Sequence, residues 1–422
     1  MKKIIAIMML LPLLAQAQTL EECQQAAERN YPLIRQYGLI EKTTDLTVSN
    51  INKGWLPQIM ASAQATLQSD VVSWPDQMQA LYQQMGLGMK GLKKDQYKVG
   101  IDVQQMVFDG GAISSQRDIA REQGRIEEAQ TEVTMYQVRR RVNEMYFGLL
   151  MLEKQIQLNR DLQQLLDANE KKLESMYQRG TASESDYHAV KAERLNVVQQ
   201  ATSLEAQHRA VTRMLSVFCG MEVSHVVKPT MIEPGTNETC QRPELKAIDA
   251  RLSLTEAKER ALNAALRPKL SLFASGFYGY PGYNMFEDMM SHDWSWNGMV
   301  GARLTWNIGA FYTHRSDKAK LRLERDMAET SRDVFLFNNR LEQIEQDENI
   351  QRFHRLMADD EEIIRLRTSV RKAAESKLAH GIIDVNDLVK EINAENAAHV
   401  QQSMHEIELL KEVYDLKYTT NN

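Results

Sequence analysis

The chain has 422 residues, 43% hydrophobic and 26% charged, with a formal charge of −6. With a mean hydropathy of −0.46 and an isoelectric point near 5.9, it lacks the dense basic patch of a nucleic-acid binder. After the first twenty residues no run is apolar and long enough for a transmembrane helix, which needs about 20 such residues, so a helical integral membrane protein is excluded.

Residues 1–17 read as a secretory signal peptide: Lys2 and Lys3, an apolar stretch from Ile4 to Leu14, then Ala15-Gln16-Ala17 as a small-x-small cleavage site. Beyond it the helix breakers are sparse. All nine prolines fall at 12, 32, 57, 75, 229, 234, 243, 268 and 281, and after Ala310 the only glycine is Gly381. Proline in a helix interior costs about 3 kcal/mol and glycine about 1, so the breaker-free stretches predict unusually long helices.

In chain order the pattern predicts a helix over Leu33–Trp55 and a strand after Pro57, where Ile59, Ala61, Ala63, Ala65 and Leu67 alternate with polar residues. A second strand alternates Val99, Ile101, Val103 and Val107 with Lys98, Asp102 and Gln104. A long helix over Ala112–Gln178 follows, with Val138, Val142, Met145, Leu149, Leu152 and Ile156 spaced as a coiled-coil seam. A tight turn and a helix over Ser183–Phe218 close this half. The same series then recurs: a helix over Glu244–Leu266, a strand carrying Leu270, Leu272 and Ala274, and a strand carrying Val300, Ala302, Leu304, Trp306 and Ile308. A long helix over Thr313–Ala379, with a sparser stripe of Leu341, Ile344, Phe353, Leu356, Val370 and Leu378, and a last helix over Asp384–Tyr418 complete it.

The recurrence is an internal duplication. The proline pairs 32/57 and 243/268 lie at an offset of 211, and Val99-Gly100/Val300-Gly301, Gly180/Gly381 and Asp186/Asp387 at an offset of 201. This divides the chain into a first repeat over 18–220, a linker over 221–241 and a second repeat over 242–422. Strands of about ten residues with one apolar and one polar face fit a barrel wall between lipid and a wet lumen, with Tyr278, Tyr280, Trp296 and Trp306 as interfacial aromatics. Four strands cannot close a barrel, and an open edge in lipid leaves backbone groups unsatisfied, so the chain is expected to oligomerise.

Chemistry-bearing motifs are missing from the sequence. It has no H-E-x-x-H, G-x-S-x-G, Walker loop or C-x-x-C, and its histidines are scattered. No catalytic, metal-binding or cofactor-binding residues are assigned. Asn237-Glu238-Thr239 matches a glycosylation sequon. In an oxidising compartment Cys219 and Cys240 are free to bridge, leaving Cys23 unpaired; three unpaired thiols are the alternative.

The ordered landmarks Leu56-Pro57-Gln58 and Arg267-Pro268-Lys269, Phe108-Asp109-Gly110-Gly111, Met214 to Gly220, and the two glycine turns resemble the TolC-type outer-membrane efflux protein family over nearly the whole mature chain. The resemblance implies a fold that is mainly α with membrane β. Long antiparallel coiled-coil helices would form an α-barrel in the periplasm, and four strands per chain would contribute to a 12-stranded trimeric β-barrel in the bacterial outer membrane. It implies an exit duct for small molecules or secreted protein, working as a homotrimer with a periplasmic adaptor (a membrane fusion protein) and, through it, an inner-membrane transporter. It also places Pro57 and Pro268 at helix-to-strand junctions. The tips Arg179, Gly180, Thr181, Ala182 and Ser183, and His380, Gly381, Ile382, Ile383 and Asp384, match the adaptor-docking end. Glu174 and Glu375, each six residues before a tip glycine, are candidates for an acidic ring at the periplasmic entrance. The second repeat departs from the pattern in reading Trp306-Asn307-Ile308-Gly309 in place of Phe-Asp-Gly-Gly. The competing class is a periplasmic coiled-coil structural or adaptor protein with a soluble β-domain.

Overall fold

The computed structural model describes residues 18–88, 91–232 and 240–421. The signal peptide at 1–17 and the Asn237 sequon lie outside the described residues. The elements run α1 (Leu20–Asn30), α2 (Ile34–Asn52, extended by a short turn of tighter helix over Lys53–Trp55), β1 (Gln58–Leu67), α3 (Asp76–Gln84), β2 (Asp95–Phe108), α4 (Ala112–Gln178) and α5 (Glu184–Cys219). There follow α6 (Pro243–Ala264), β3 (Lys269–Tyr280), α7 (Met285–Ser291), β4 (Ser295–Thr305), α8 (Ala310–Ala379) and α9 (Val385–Thr420). No helix among the described residues is long and apolar enough to cross a membrane. Two units divide the chain, and both sequence repeats contribute to each.

One unit comprises residues up to Tyr37, Ala129–Ala247 and Ser331–Asn422. In it α1, opened by a capping box of Thr19 and Glu22, packs Leu20, Cys23 and Ala27 against Val138, Val142, Tyr146 and Leu149 of α4, with Leu215 and Cys219 of α5 and Leu410 of α9. The Tyr146 hydroxyl, buried in this cluster, donates to the Gln18 and Val227 carbonyls, and Gln18 forms an isolated parallel bridge with Val226. The α4 seam is thus core at Val138, Val142 and Leu149. The α8 stripe behaves differently: Phe353 is buried, whereas Leu341, Ile344, Leu356 and Val370 are 41–51% exposed. Nothing among the described residues fully covers that face.

The other unit comprises Gly38–Glu128 and Ile248–Thr330 and contains the sheet, a four-stranded antiparallel meander in the order β1-β2-β3-β4. Its register gathers the apolar residues: Ala63 pairs with Val99, Val99 with Tyr278, Tyr278 with Trp296, and Ala274 with Val300. One face therefore carries Ile59, Ala63, Val99, Ile101, Ala274 and Val300, most of them exposed, while Gln64, Lys98, Asp102, Gln104 and Arg303 share the other. On the polar face Phe277 lies against Gly100 and Phe273 against Gly301, so that a Cβ on either glycine would stand 2.8 or 2.7 Å from the aromatic side chain. The matched Val-Gly pairs of the two repeats are explained by this close approach.

Several expectations are corrected. The fourth strand ends at Thr305: Trp306 lies beyond it and donates its indole N–H to the Leu266 carbonyl at 2.9 Å. Gln105, its equivalent in the first repeat, makes the matching bond to the Trp55 carbonyl at 2.7 Å. Tyr280 is not an interfacial aromatic. It is 2% exposed, packs with Leu92 and Met289, accepts from the Lys93 amide and donates to the Asp288 carbonyl. Of the two cysteine alternatives left open, the structure holds three free thiols, with Cys219 lying against Cys23. The helices α1, α3 and α7 were not expected from the periodicity.

Candidate functional site

The two hairpin tips share one local construction. At the end of α4, Gly180 takes a left-handed φ of 74°, and the Gly180 and Thr181 amides donate to the Tyr177 and Met176 carbonyls at 2.9 Å each. At the end of α8, Gly381 has φ 70°, and the Gly381 and Ile382 amides donate to the Leu378 and Lys377 carbonyls at 3.0 and 2.9 Å. This is the Schellman closure of a helix, in which a residue without Cβ takes the left-handed position at low cost. Each following helix then starts on a capping side chain at the same offset of 201. Ser183 Oγ accepts from the Asp186 amide at 3.1 Å, and Asp384 Oδ1 from the Asp387 amide at 2.9 Å.

Beneath the tips, Leu166 and Leu173 of α4, Val190 of α5, Ala374 of α8 and Leu388 and Ile392 of α9 form one buried cluster. Ala182 and Ile383 both pack onto it, so the structure brings the two tips together over a shared core. These two are half-buried, whereas Arg179, Gly180, Thr181, Ser183, His380, Gly381, Ile382 and Asp384 are exposed, Ile382 at 69%. The apolar surface offered to a partner is therefore Ile382 rather than Ile383.

The two candidate acids differ in setting. Glu174 is exposed on α4, whereas Glu375 accepts from Arg371 at 2.5 Å. Pro57 stands between the turn ending at Trp55 and β1, and Pro268 between α6 and β3.

A pair of interhelical ion pairs was missed from the sequence. Arg194 of α5 binds Glu170 of α4, and Arg371 of α8 binds Glu395 of α9. Positions 170 and 194 correspond to 371 and 395 at the offset of 201, so the same contact recurs with its charges exchanged. Glu170 is 9% and Glu395 8% exposed. Burial works to discharge the Arg371 guanidinium, and Glu395 with Glu375 overcomes it, holding the group above its ordinary range. Applying the repeat offset to charged positions, rather than to glycines and prolines alone, would have found the pair. This end of the helices presents closed turns, a few exposed side chains and neutralised charges. Such an arrangement suits contact with another protein, and among the described residues no cluster of His, Cys, Asp and Glu is placed to hold a metal.

Residues 23–216 match the family model described as outer membrane efflux protein. No curated protein sequence matches the chain significantly. Among solved structures, the outer membrane protein VceC from Vibrio cholerae superposes with a TM-score of 0.70 at 12% identity, covering 96% of each chain. The CmeC outer membrane channel of Campylobacter jejuni gives 0.68 at 12% identity over 95% of this chain and 85% of that one. The open-state MtrE outer membrane channel of Neisseria gonorrhoeae gives 0.65 at 12% identity over 96% and 89%. At such identities the likeness is one of fold: a mainly helical chain with four antiparallel strands. The chain therefore resembles the TolC-type outer membrane efflux proteins, by sequence over residues 23–216 and by fold over its described length.

Proposed function

We propose that the chain is an outer-membrane exit duct: a homotrimer whose three four-stranded sheets join into one 12-stranded barrel and whose helices continue the passage into the periplasm. The observation that carries this reading is the sheet. Its apolar residues from all four strands share one face, most of them are exposed, and β1 and β4 each have an edge unpaired among the described residues. In lipid those edges must be paired, and three copies supply the pairing without changing the register within each chain. The uncovered α8 stripe gives a second support, because an apolar face of this length normally meets a partner. The tips at 179–183 and 380–384 are proposed to dock a periplasmic adaptor, which links the duct to an inner-membrane transporter and leaves the choice of cargo to that transporter. Because Glu375 is tied to Arg371, the acidic entrance ring is proposed to rest on Glu174.

The test is fractionation followed by conductance. The protein is expected in the outer-membrane fraction, released by detergent as a heat-sensitive trimer, and to form ion-conducting channels in planar bilayers. Glu174→Gln is expected to weaken their cation preference. Recovery as a monomer needing no detergent would instead establish the periplasmic scaffold.

A further inference from the structure

We propose that Cys23 and Cys219 form a disulfide in the exported protein, fastening the N-terminal helix to the end of the first hairpin. The proposal rests on the export reading above, since disulfides persist in oxidising compartments. Cys23 sits in the first turns of α1, and Cys219 is the last residue of α5. Both side chains are buried in the same apolar cluster, at 0% and 4% exposure. Cys219 Sγ donates to the Cys23 carbonyl at 3.5 Å, which sets that sulfur directly beside the Cys23 residue.

The backbone on both sides is fixed independently of the sulfurs. Asn30 at the end of α1 donates to the Val217 and Phe218 carbonyls at 3.0 and 3.2 Å, and Gly220 closes α5 with a φ of 66°. Beyond it the Val223 amide donates to Ser216 Oγ at 3.0 Å. The approach of Cys219 to Cys23 therefore follows from the packing of α1 on α5. Cys240, by contrast, is half-buried and engaged with the Arg242 backbone.

The bond needs a two-electron oxidant, here an exported protein disulfide of the dithiol-oxidoreductase class. One thiolate of the pair attacks a sulfur of that disulfide, breaking it and forming a mixed disulfide. The second thiolate then attacks the mixed disulfide at the first cysteine's sulfur, closing Cys23–Cys219 and releasing the oxidant as a dithiol. Both electrons and both thiol protons end on the oxidant. Because both sulfurs are shut away in the finished fold, exchange takes place before α1 docks.

The test is to alkylate free thiols during extraction from membranes, digest without reductant and map the peptides by mass spectrometry. The Cys23 and Cys219 peptides should be joined, two hydrogens lighter than their sum, with Cys240 alkylated. Reductant should lower the melting temperature of the wild type by about 5 °C and leave that of Cys23→Ser unchanged. Full alkylation of Cys23 and Cys219 in membrane-extracted protein, or a link from either to Cys240, would overturn the pairing. If fractionation finds the chain unexported, the export reading fails by itself. The pairing is then judged by refolding the purified full chain in a glutathione disulfide buffer, where a missing Cys23–Cys219 link overturns it.

Discussion

Arg371 is 13% and Glu395 10% exposed at the side chain, so each has given up most of its water for the other. Removing one partner leaves a charge with neither water nor counter-ion, the costly case for a buried pair. Arg371→Ala is expected to destabilise the helical unit by about 3 kcal/mol, and Glu170→Ala by a similar amount. Reversing both members of one pair, as Glu170→Arg with Arg194→Glu, should restore most of the loss, because the other hairpin already holds that orientation. Thermal melts across the double-mutant cycle decide it, and additive losses would deny the coupling. Asp415 of α9 makes a different prediction. Burial pushes its carboxyl up despite the pull of Lys411, so at neutral pH the folded state holds a charge that the unfolded state accommodates more easily. Between the ordinary aspartate range, about 3.9, and the raised folded value, the native state binds more protons than the unfolded one. Stability therefore falls as pH rises through that window. Asp415→Asn should raise the melting temperature by a few degrees near neutral pH, with the gain vanishing in melts below about pH 3.5.

A strand in this sheet asks opposite things of adjacent residues. Val300 is 82% exposed on the apolar face, and its neighbour Met299 is 46% exposed on the polar one. In the proposed barrel, Val300→Lys is expected to cost about 2–4 kcal/mol in the bilayer and to abolish trimer recovery from the outer membrane, whereas Met299→Lys should leave it nearly intact. Equal recovery of the two on unheated gels would contradict the assignment of faces. Period-two alternation made the strands legible in the sequence, and the missing breakers made α4 and α8 legible, α4 to its first and last residues. The short α3 and α7 were not legible because they span two turns or so and owe their place to loop packing around Trp74, Tyr280 and Met289. Trp306 misled for another reason. The alternation continues through it, but its indole N–H is spent on the Leu266 carbonyl. The same kind of bond from Gln105 to Trp55 could not be read from residue type, since glutamine and tryptophan share only an N–H donor. The α1 helix carried a readable signal in its Thr19-Leu20-Glu21-Glu22 capping box, overshadowed by the export signal beside it.

For the molecule as a whole, the proposed docking makes the tips the part that meets the cell's other machinery. Within the proposed docking, Thr181→Arg with Ile382→Asp alters exposed side chains without touching the core beneath. Cross-linking to a periplasmic adaptor and drug or toxin resistance should fall at least tenfold while the trimer keeps its heat stability. Unchanged cross-linking would place docking elsewhere. Ala182→Glu or Ile383→Glu should instead loosen the tip itself, because both side chains rest on the cluster around Leu173 and Leu388. Duplication was the part of the architecture most open to reading, since glycines and prolines keep their spacing when other residues drift. It also creates a hazard during folding: two near-copies of one hairpin, multiplied in the proposed trimer, offer each long helix several wrong companions. The exchanged ion pairs bear on that choice. A hairpin assembled from α4 and α9 would set Glu170 against Glu395, and one from α8 and α5 would set Arg371 against Arg194. Like charges at a half-dry contact repel, so only the companion encoded next in the chain, or the same segment of another copy, completes the bond.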